Sequence, residues 1–527
     1  MNQELWQLFS NKQYKEVLAK AAEELKNTQA FDYIHVAGLS LIGLDNMEQG
    51  MDWLCASLAL TSPSVDWFRN GATACMEQER YMQAILILTN GLKEYPKDLN
   101  MTFMLGLCHV HIHEWAMAVD FFNKALEIDK DFYHARLSIG FCHHMLGLYD
   151  SAIEYYESIH DGTPEAMESV YNNHACVLIE QGKPKEALQF LLDKCPGSER
   201  PATLYNMSFL YLGLGIWPLG WQLYRYRDTV AVSKNKLFSG NPASSMPKVE
   251  QPVARSLHEI HNKHLLMFHE QGLGDTIQFI RYAQKLEKIA DRITIGVPKS
   301  LHRLAETLLM DKPFKVISSE NDVVCDIAIP MLDAPILFET TIKTIPNTGP
   351  YFKLPNVLRK RHYLPRMAHL RVGLCWAGAS RVDNIRAFSI DKRRSIPFEL
   401  LDPLLQREDV HFFSLHLSDH HKDHPNLIQI LKDNFDMLDT AAIIDQMDLI
   451  ITIDSSIAHL AGALGKTVWL LSRFDSCWRW GWPESEDDSL YHSTPWYSNT
   501  YIFRQKSHNS WPEVLEEVRQ KLLSFMK

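Results

Sequence analysis

The sequence predicts a multidomain fold, in which an all-α array of helical repeats precedes an α/β region made of two doubly wound halves. Three observations lead to this fold class. The chain has 527 residues, more than the ~250–300 residues at which a single hydrophobic core stops growing. Small residues recur every 34 positions through the first half, which is typical of stacked helical repeats. Short apolar runs then alternate with longer stretches, as strands do when crossover helices join them.

The 34-residue interval extends from about residue 10 to residue 227 and predicts six repeats. Small residues stand at this spacing in two series, at Gly38, Ala72, Gly106 and Gly140, and at Ala84, Ala118 and Ala152. They let the two helices of a repeat touch, while large residues such as Phe122 fill the groove to the next repeat. This pattern resembles the tetratricopeptide repeat (TPR). A TPR array either holds a protein in its groove or braces a neighbouring domain, and we favour protein binding.

A change in composition separates the repeats from the α/β region. Residues 233–255 are rich in proline, serine and glycine and have no periodicity, which predicts a linker. Seven short apolar runs follow and are predicted to be strands: HLLMF, RITIGV, DIAIP, RVGLCWA, VHFFSLHL, DLIITI and TVWLLS. Two Rossmann-like halves with parallel strands account for them. The predicted domains are a helical repeat domain at 1–232, a linker at 233–262, and two Rossmann-like halves at 263–370 and 371–527.

The first predicted strand of the α/β region leads into a glycine turn. Gly272 and Gly274 follow HLLMF, and Asp275 stands at the beginning of the next predicted helix. Glycines at this place let a ligand approach the backbone. From this segment alone, a role for Asp275 as the cap of that helix is as well supported as any other role. Without a third glycine and a later acidic residue, the turn is too weak a signal for an NAD enzyme.

The strand RVGLCWA leads into a polar, basic loop. Gly378 begins this loop, and Arg394 and Ser395 end it. Cationic side chains near the carboxyl end of a strand neutralise a diphosphate. A solvated run of charges is the alternative.

The strand DLIITI ends in an acidic residue and two serines. Asp454, Ser455 and Ser456 precede a helix of small residues. Free N–H groups at the start of a helix favour an anion such as a nucleotide diphosphate. An ordinary strand and helix joined by a serine cap is the alternative.

Composition limits the function classes. The formal net charge is −11, which disfavours nucleic-acid binding as the main task. The first residues lack the pattern of a signal peptide, and no apolar run reaches the ~18 residues of a transmembrane segment. The nine cysteines form no CxxC pair, which favours a reducing compartment. We therefore expect a cytoplasmic protein without a transmembrane segment.

Several ordered motifs carry a family resemblance. They are QGLGDTIQF, VGLCWAG followed by RRSIP, DTAAIIDQMDLIITIDSSIAHLAGALGKTVWLL, WRW, PWY and FRQ. With the repeats, they resemble bacterial TPR proteins whose C-terminal domain is similar to ADP-heptose:lipopolysaccharide heptosyltransferases. The arrangement is also similar to that of O-linked N-acetylglucosamine transferases, which join the same repeats to two Rossmann-like halves.

This resemblance implies a GT-B glycosyltransferase that moves a sugar from a nucleotide-sugar donor to an acceptor hydroxyl, inverts the sugar's configuration and needs no metal or other cofactor. We expect the acceptor to be a protein recruited by the TPR array, with a glycan or a lipid core as the less favoured alternative. A scaffold that binds proteins through its repeats and carries a degenerate transferase domain is the alternative.

The resemblance also assigns roles to individual residues. Asp275 matches the general base that deprotonates the acceptor. Asp454 is placed at the donor sugar, with Ser455, Ser456 and His459 near the diphosphate or the sugar. Gly378 matches a position where the donor phosphate approaches the backbone. A histidine packed in its helix is the alternative for His459.

Overall fold

The computed structural model describes residues 3–26, 31–58, 64–227, 252–318, 323–346, 349–362, 364, 370–382, 384–416, 422–482 and 491–525. The chain divides into two compact units, Met1–Val177 and Leu178–Lys527. The second unit thus begins inside the predicted repeat domain. Of the predicted linker, residues 233–251 lie outside the described residues. Within residues 252–262, Val253 forms a parallel bridge with Ala328, and a short helix follows it.

The described residues of the repeat region contain fourteen helices in seven consecutive pairs. They are α1 (Gln3–Ser10), α2 (Tyr14–Glu24), α3 (Phe31–Gly43), α4 (Met47–Leu58), α5 (Val65–Glu77), α6 (Tyr81–Glu94), α7 (Leu99–His111), α8 (Trp115–Ile128), α9 (Tyr133–Met145), α10 (Tyr149–Glu157), α11 (Pro164–Glu180), α12 (Pro184–Lys194), α13 (Pro201–Gly213) and α14 (Trp217–Tyr224). The six pairs from α3 onward correspond to the six predicted repeats. The predicted interval, which starts at about residue 10, already contains α2. The pair of α1 and α2 was not counted as a repeat because Glu4 stands 34 positions before Gly38, where a small residue would mark the repeat.

The small residues of the repeats bring paired helices into contact, as predicted. A methyl group on Gly106 would lie 2.5 Å from the ring of Phe122, and one on Gly140 would lie 2.5 Å from the ring of Tyr156. Both rings are buried. Because these distances are far below van der Waals contact, only glycine lets the aromatic side chain lie flat on the facing helix.

The second unit contains two parallel sheets. Their strands are β1 (His264–Phe268), β2 (Arg292–Gly296), β3 (Phe314–Ile317), β4 (Ile327–Pro330), β5 (Leu370–Cys375), β6 (Val410–Ser414), β7 (Leu427–Gln429), β8 (Leu449–Ile453), β9 (Val468–Ser472) and β10 (Thr500–Arg504). The first sheet has the order β3-β2-β1-β4, and the second has the order β10-β9-β8-β5-β6-β7. All seven predicted strands are present. The three that the sequence missed are edge strands, which are exposed along one side and lack a continuous apolar run.

Eleven further helices are described in this unit. They are α15 (Leu257–Ile260), α16 (Leu273–Phe279), α17 (Ala283–Leu286), α18 (Lys299–Leu308), α19 (Ala334–Leu337), α20 (Asn356–Arg361), α21 (Ile385–Arg394), α22 (Asp402–Leu405), α23 (Met437–Ile444), α24 (Ser456–Ala463) and α25 (Trp511–Phe525). The prediction of a polar loop that ends at Arg394 is wrong, because residues 385–394 form α21. Asn384 caps this helix by accepting the N–H of Ala387 at 2.9 Å, a local contact that stabilises a short charged helix. No helix in the described ranges is both long and apolar enough to cross a lipid bilayer.

Each sheet has one point where the strand order changes direction. In the first sheet this point lies between β1 and β4, and in the second it lies between β5 and β8. Loops leave such a point in opposite directions, so a crevice opens at the carboxyl ends of the two strands. The predicted site residues follow β1, β5 and β8. Strand order therefore places all three turns at the switch points.

Candidate functional site

The turn after β1 combines backbone strain with helix capping. Gln271 has a φ of 59°, a left-handed conformation that non-glycine residues rarely adopt. Gly272 follows as the N-cap of α16, and its N–H donates to Oδ2 of Asp275 at 3.0 Å. Asp275 therefore caps its own helix, one of the two roles that the sequence allowed. Its second oxygen, Oδ1, points away from the helix.

The other oxygen of Asp275 is paired with a residue from the second sheet. Nη2 of Arg479 donates to Oδ1 of Asp275. Arg479 also lies over the ring of Trp478, with its guanidinium carbon 4.4 Å from the ring centroid. Burial lowers the pKa of Arg479, but Asp275, Cys477 and Tyr224 together more than offset this, so the pKa is raised well above its usual value. Arg479 is a cation at every accessible pH, and it joins the two halves at the predicted base.

A buried arginine fixes the segment that presents Arg479. Trp478–Trp480 form one 3₁₀ turn. The guanidinium of Arg504 donates to the carbonyl of Trp480 at 2.5 Å and to that of Gly481 at 3.1 Å. Burial lowers the pKa of Arg504 to about 10, so it stays charged at neutral pH. Trp478, Trp480 and Trp482 are all buried.

The turn after β5 is built around a buried carboxylate. Asp391, on α21, is 3% exposed and accepts from Arg394 at 2.7 Å. The other hydrogen-bonding arm of Arg394 donates to the backbone carbonyl of Asp454 at 2.8 Å. Gly378 donates its N–H to Oγ of Ser395 at 3.2 Å, and a side chain on Gly378 would collide with the guanidinium of Arg394. The predicted residues Gly378, Arg394 and Ser395 are thus adjacent.

Sequence reasoning missed a second arginine on the same carboxylate. Arg381 donates to both oxygens of Asp391, at 2.9 and 2.8 Å. Its hydrogen bonds to Asp391 raise its pKa, and Asp454 and Asp275 raise it further. The side chain is 48% exposed, so a planar cation is presented to solvent beside two acidic residues. In the sequence, the only indication of a role for Arg381 was its position three residues after Gly378.

The turn after β8 lies against the end of β5. Ser455 occupies the N-cap position of α24, yet its hydroxyl contacts Oγ1 of Thr452 at 3.2 Å and Sγ of Cys375 at 3.7 Å. The simple serine cap is therefore replaced by a bond back to the sheet. Asp454 and Ser456 flank it and are partly exposed. All three predicted residues border the switch point of the second sheet.

His459 is packed between the halves. Its ring stacks on that of Trp480 with centroids 5.0 Å apart, and its Nδ1 lies 3.0 Å from the hydroxyl of Tyr497. A methyl group on Gly274 would lie 2.7 Å from the ring, so this glycine lets α16 approach α24. Burial lowers the pKa of His459 to about 4, although Asp454 and Asp275 partly offset this. The ring is therefore neutral at physiological pH. His459 is a packed histidine, which was the alternative to a ligand-binding role in the sequence analysis.

The three turns together can hold an anion beside a carboxylate. Two arginines on Asp391 and one on Asp275 supply positive charge, and planar guanidinium groups bind phosphate oxygens in pairs. Asp275 and Asp454 supply acceptors for hydroxyl groups. In the described part of the chain, no three His, Cys, Asp or Glu side chains are grouped so that they could hold a metal ion. The predicted independence of metal and cofactor remains a prediction.

Comparisons with known proteins complete the description of the site. No family model matches the chain. The chain is similar to Protein FlbA of Caulobacter vibrioides, with 23% identity over 505 residues that cover 88% of this chain and 73% of FlbA. It is also similar to the DnaJ homolog subfamily C member 7 homolog of Schizosaccharomyces pombe, with 27% identity over 187 residues that cover 33% of this chain and 37% of that protein.

Two solved structures resemble part of the chain. A tetratricopeptide repeat protein from Parabacteroides merdae has 14% identity and a TM-score of 0.36, covering 45% of this chain and 93% of its own. The pilF protein of Pseudomonas aeruginosa has 17% identity and a TM-score of 0.29, covering 37% of this chain and 90% of its own. The TPR-like character of the helical region follows from its own helix pairs and their 34-residue interval.

Proposed function

We propose that this chain is a glycosyltransferase that moves a sugar from a nucleotide-sugar donor to an acceptor hydroxyl, with its two α/β halves arranged as in the GT-B fold. One observation carries the proposal: two strand-end turns, each at a switch point of a parallel sheet, meet where Gly274 contacts His459 and Asp275 pairs with Arg479. Ligands of open α/β sheets bind at such points. A donor on the Asp454 turn faces Asp275 across this junction.

The proposed reaction needs one carboxylate base. Asp275 accepts the proton of the acceptor hydroxyl, whose oxygen forms a bond to the anomeric carbon of the donor sugar. The bond from that carbon to the diphosphate oxygen breaks, and its electron pair leaves with the nucleotide diphosphate. Direct displacement of this kind inverts the configuration of the sugar. A positioned base contributes about 10²–10⁴-fold to such a step.

The leaving diphosphate needs positive charge, which this chain supplies from side chains and backbone. Arg394 and Arg381 are both oriented by Asp391, and the N–H groups at the start of α24 lie beside them. Preorganised cations and N–H groups stabilise developing negative charge without a metal. Ser455, Ser456 and Asp454 complete this side of the proposed donor site.

The helical region is proposed to recruit a protein acceptor. A stack of helix pairs presents a continuous groove, and binding an acceptor there raises its effective concentration at the transfer site. The similarity to FlbA covers 88% of this chain and so reaches both the helical and the α/β regions, which supports a joint role for the two.

A second candidate function is a protein-binding scaffold whose transferase domain has lost activity. Both oxygens of Asp275 already accept hydrogen bonds, from Gly272 and from Arg479. Each oxygen keeps a second lone pair that can take the proton of an acceptor hydroxyl, and in the transferase Arg479 can also move to a bound diphosphate. In a scaffold without activity, Arg479 stays paired with Asp275, and the pair only stabilises the fold.

The decisive variant is Asp275→Asn, which keeps the cap on Gly272 but cannot accept a proton. Turnover of nucleotide sugars is expected to fall by about 10²–10⁴-fold at a temperature where the variant is folded, and the melting temperature is expected to fall as well, because Arg479 loses its charged partner. Asp409→Asn is the matched control. Asp409 pairs with Arg407 just before β6, at the amino ends of the strands, whereas the candidate site lies at their carboxyl ends. Equal turnover by both variants would remove the catalytic role of Asp275.

Donor binding is tested by calorimetry with UDP, ADP, GDP and CMP and with their sugar conjugates. Asp454→Ala is expected to weaken binding of the sugar conjugate by about 1.5–3 kcal/mol more than binding of the bare nucleotide, because the carboxylate is assigned to sugar hydroxyls. Equal weakening of both would remove that assignment. If none of these ligands binds to the unmodified protein, the scaffold is the better description.

A further inference from the structure

The last helix pair of the repeat region is attached to the first sheet through a buried arginine. Arg227, three residues after the end of α14, is 0% exposed, as is Glu270. The guanidinium donates to both oxygens of Glu270, from Nε at 2.9 Å and from Nη2 at 2.7 Å. Nη2 also donates to Oδ1 of Asp333 at 2.6 Å. One cation is therefore fully desolvated between two carboxylates.

These two carboxylates mark the ends of neighbouring strands. Glu270 lies two residues after β1, and Asp333 ends the 3₁₀ turn that follows β4. Oε1 of Glu270 also accepts the backbone N–H of Leu332 at 3.1 Å. Arg227 thus holds together the two strand ends that form the switch point of the first sheet.

A second contact continues directly into the glycine turn. Nε2 of Gln271 donates to the hydroxyl of Tyr224, the last residue of α14, at 3.0 Å. Gln271 is the residue with the left-handed φ of 59°, a conformation that persists only where surrounding contacts impose it. Gly272 and Asp275 follow it in the chain. Residues of the helical region therefore hold the two positions that directly precede Gly272.

Aromatic contacts fix the same helix to the second half. Trp217 stacks on Trp496 with centroids 5.2 Å apart and an interplanar angle of 22°. Trp221 meets Trp478 edge to face at 5.4 Å. Because these rings are buried, α14 cannot slide without exposing large apolar surfaces, and the guanidinium of Arg227 is held at a fixed position.

We infer that Arg227 is a positioning residue for the Gly272–Asp275 turn, so that the end of the repeat array is a working part of the candidate site. Arg227 acts through Glu270 and the neighbouring turn and does not touch a ligand. Its effect on turn geometry is independent of the reaction, whereas its effect on turnover rests on the proposed glycosyl transfer.

Hydrogen exchange of the full-length protein, followed by mass spectrometry, tests this inference. Arg227→Lys keeps the charge but loses the planar fork that spans Glu270 and Asp333. Peptides covering residues 269–276 and 331–334 are expected to exchange on the order of tenfold faster, while peptides from β8 and β9 are unchanged. Leu522→Ala is the control, since this buried residue of α25 belongs to a separate core and its loss lowers stability without touching the turn.

A triple variant separates positioning from simple charge balance. Arg227→Met, Glu270→Gln and Asp333→Asn together remove the cation and both anions, so no unpaired charge stays buried. If Arg227 positions the turn, residues 269–276 stay fast-exchanging in the triple variant even where its melting temperature recovers. Normal protection of the turn in either the Lys variant or the triple variant would overturn the inference.

The reaction supplies an independent readout. In the Arg227→Lys variant, kcat for a nucleotide sugar is expected to fall about tenfold or more with little change in KM, because a misplaced base lowers the rate of the chemical step and leaves donor binding intact. Fast exchange of the turn in a protein that turns over no nucleotide sugar would leave the positioning role standing and would contradict the proposed function. Unchanged kcat alongside unchanged exchange would overturn the positioning role alone.

Discussion

Two glycines of the helical region each contact a buried aromatic ring, but the rings come from different parts of the chain. Gly106, in α7, receives the ring of Phe122 from the partner helix of its own repeat. Gly213, at the end of α13, receives the ring of Trp482 from the α/β region, and its carbonyl accepts the N–H of Trp482 at 3.1 Å. In both cases a glycine leaves room for an aromatic ring. The contact at Gly106 packs the two helices of one repeat together, whereas the contact at Gly213 packs the repeat region against the α/β region.

This difference shows which repeats depend only on their neighbouring repeats and which also depend on the α/β region. Repeats that bury their aromatic side chains against each other depend only on neighbouring repeats. In α13 and α14, the glycine contact, the tryptophans and Arg227 all reach the α/β region, within the unit Leu178–Lys527. The domain limit at residue 232 stays a prediction, but the contacts of residues 178–227 place them with the sheets.

Truncation is expected to give the largest effect. A chain that begins at residue 178 should be soluble and melt cooperatively. A chain that begins at residue 231 lacks Arg227, which leaves Glu270 buried without its cation and leaves Asp333 with only the exposed Arg255, 3.7 Å away. The cost is about 3–5 kcal/mol, and the faces of Trp478 and Trp496 become exposed. Since domains are stable by only about 5–15 kcal/mol, this chain should aggregate.

Circular dichroism melting and binding of a dye to exposed apolar surface measure the two truncated chains. A cooperative melt of the chain from residue 231, within about 1–2 °C of the chain from residue 178, would mean a loss of no more than ~1 kcal/mol. In that case the last helix pair is a detachable module like the others.

Alanine at the two glycines is expected to give the next largest effect, in different units. Gly106→Ala should destabilise the first unit and Gly213→Ala the second, each by about 1–3 kcal/mol, because a methyl group would lie 2.5 Å from a buried ring. Limited proteolysis, followed by identification of the fragments, reports which unit opens.

Gly71→Ala is the control for these two substitutions. A methyl group on Gly71 would lie 3.5 Å from its nearest neighbour, an ordinary contact. Within α5, alanine should therefore stabilise by about 0.5–1 kcal/mol. If Gly213→Ala opened the first unit, the proposed attachment of α13 would be wrong.

Acid is expected to give the smallest effect, and one buried histidine in each unit separates the contributions. Burial lowers the pKa of His35 to about 4, partly offset by Asp32, and burial also lowers the pKa of His459 to about 4. Because the unfolded chain binds protons first, stability is full above about pH 7 and falls as pH drops through 6.5 toward 4. Each histidine should cost less than ~1 kcal/mol between pH 7 and 6 and about 2 kcal/mol by pH 5.

Variants that cannot titrate assign the loss. His35→Phe keeps the stack on Phe31 and should flatten the pH dependence of the first unit, while His459→Gln should flatten that of the second. Urea unfolding at pH 7, 6 and 5, with hydrogen exchange to separate the units, measures both. An unchanged slope in either variant would show that other groups carry the acid sensitivity of that unit.

Much of the fold could be predicted because it depends on local periodicity. The 34-residue interval located six of the seven helix pairs, and continuous apolar runs located seven strands. The edge strands β3, β7 and β10 were missed because their sequences, FKVI, LIQ and TYIFR, are short or interrupted by polar residues. The basic stretch before Ser395 was predicted as a loop, although Asn384 caps it and residues 385–394 form a helix.

The candidate site was predictable where a residue follows a strand directly. Gly272, Gly378 and Asp454 lie at strand ends, and parallel strands bring such ends to one edge of a sheet. Arg479 and Arg227 carried no comparable signal. Each lies far along the chain from its carboxylate partner, and a single arginine in a sequence does not indicate which carboxylate it meets.

The sequence by itself determined the helical repeats, the parallel strands and the three turns, because each depends on residues a few positions apart. Only the tertiary structure decided that Asp275 is paired with Arg479, that His459 is packed and neutral, and that Arg227 joins the last repeat to the first sheet. Those contacts depend on desolvation and on the meeting of distant segments. Neither is set until the chain has folded.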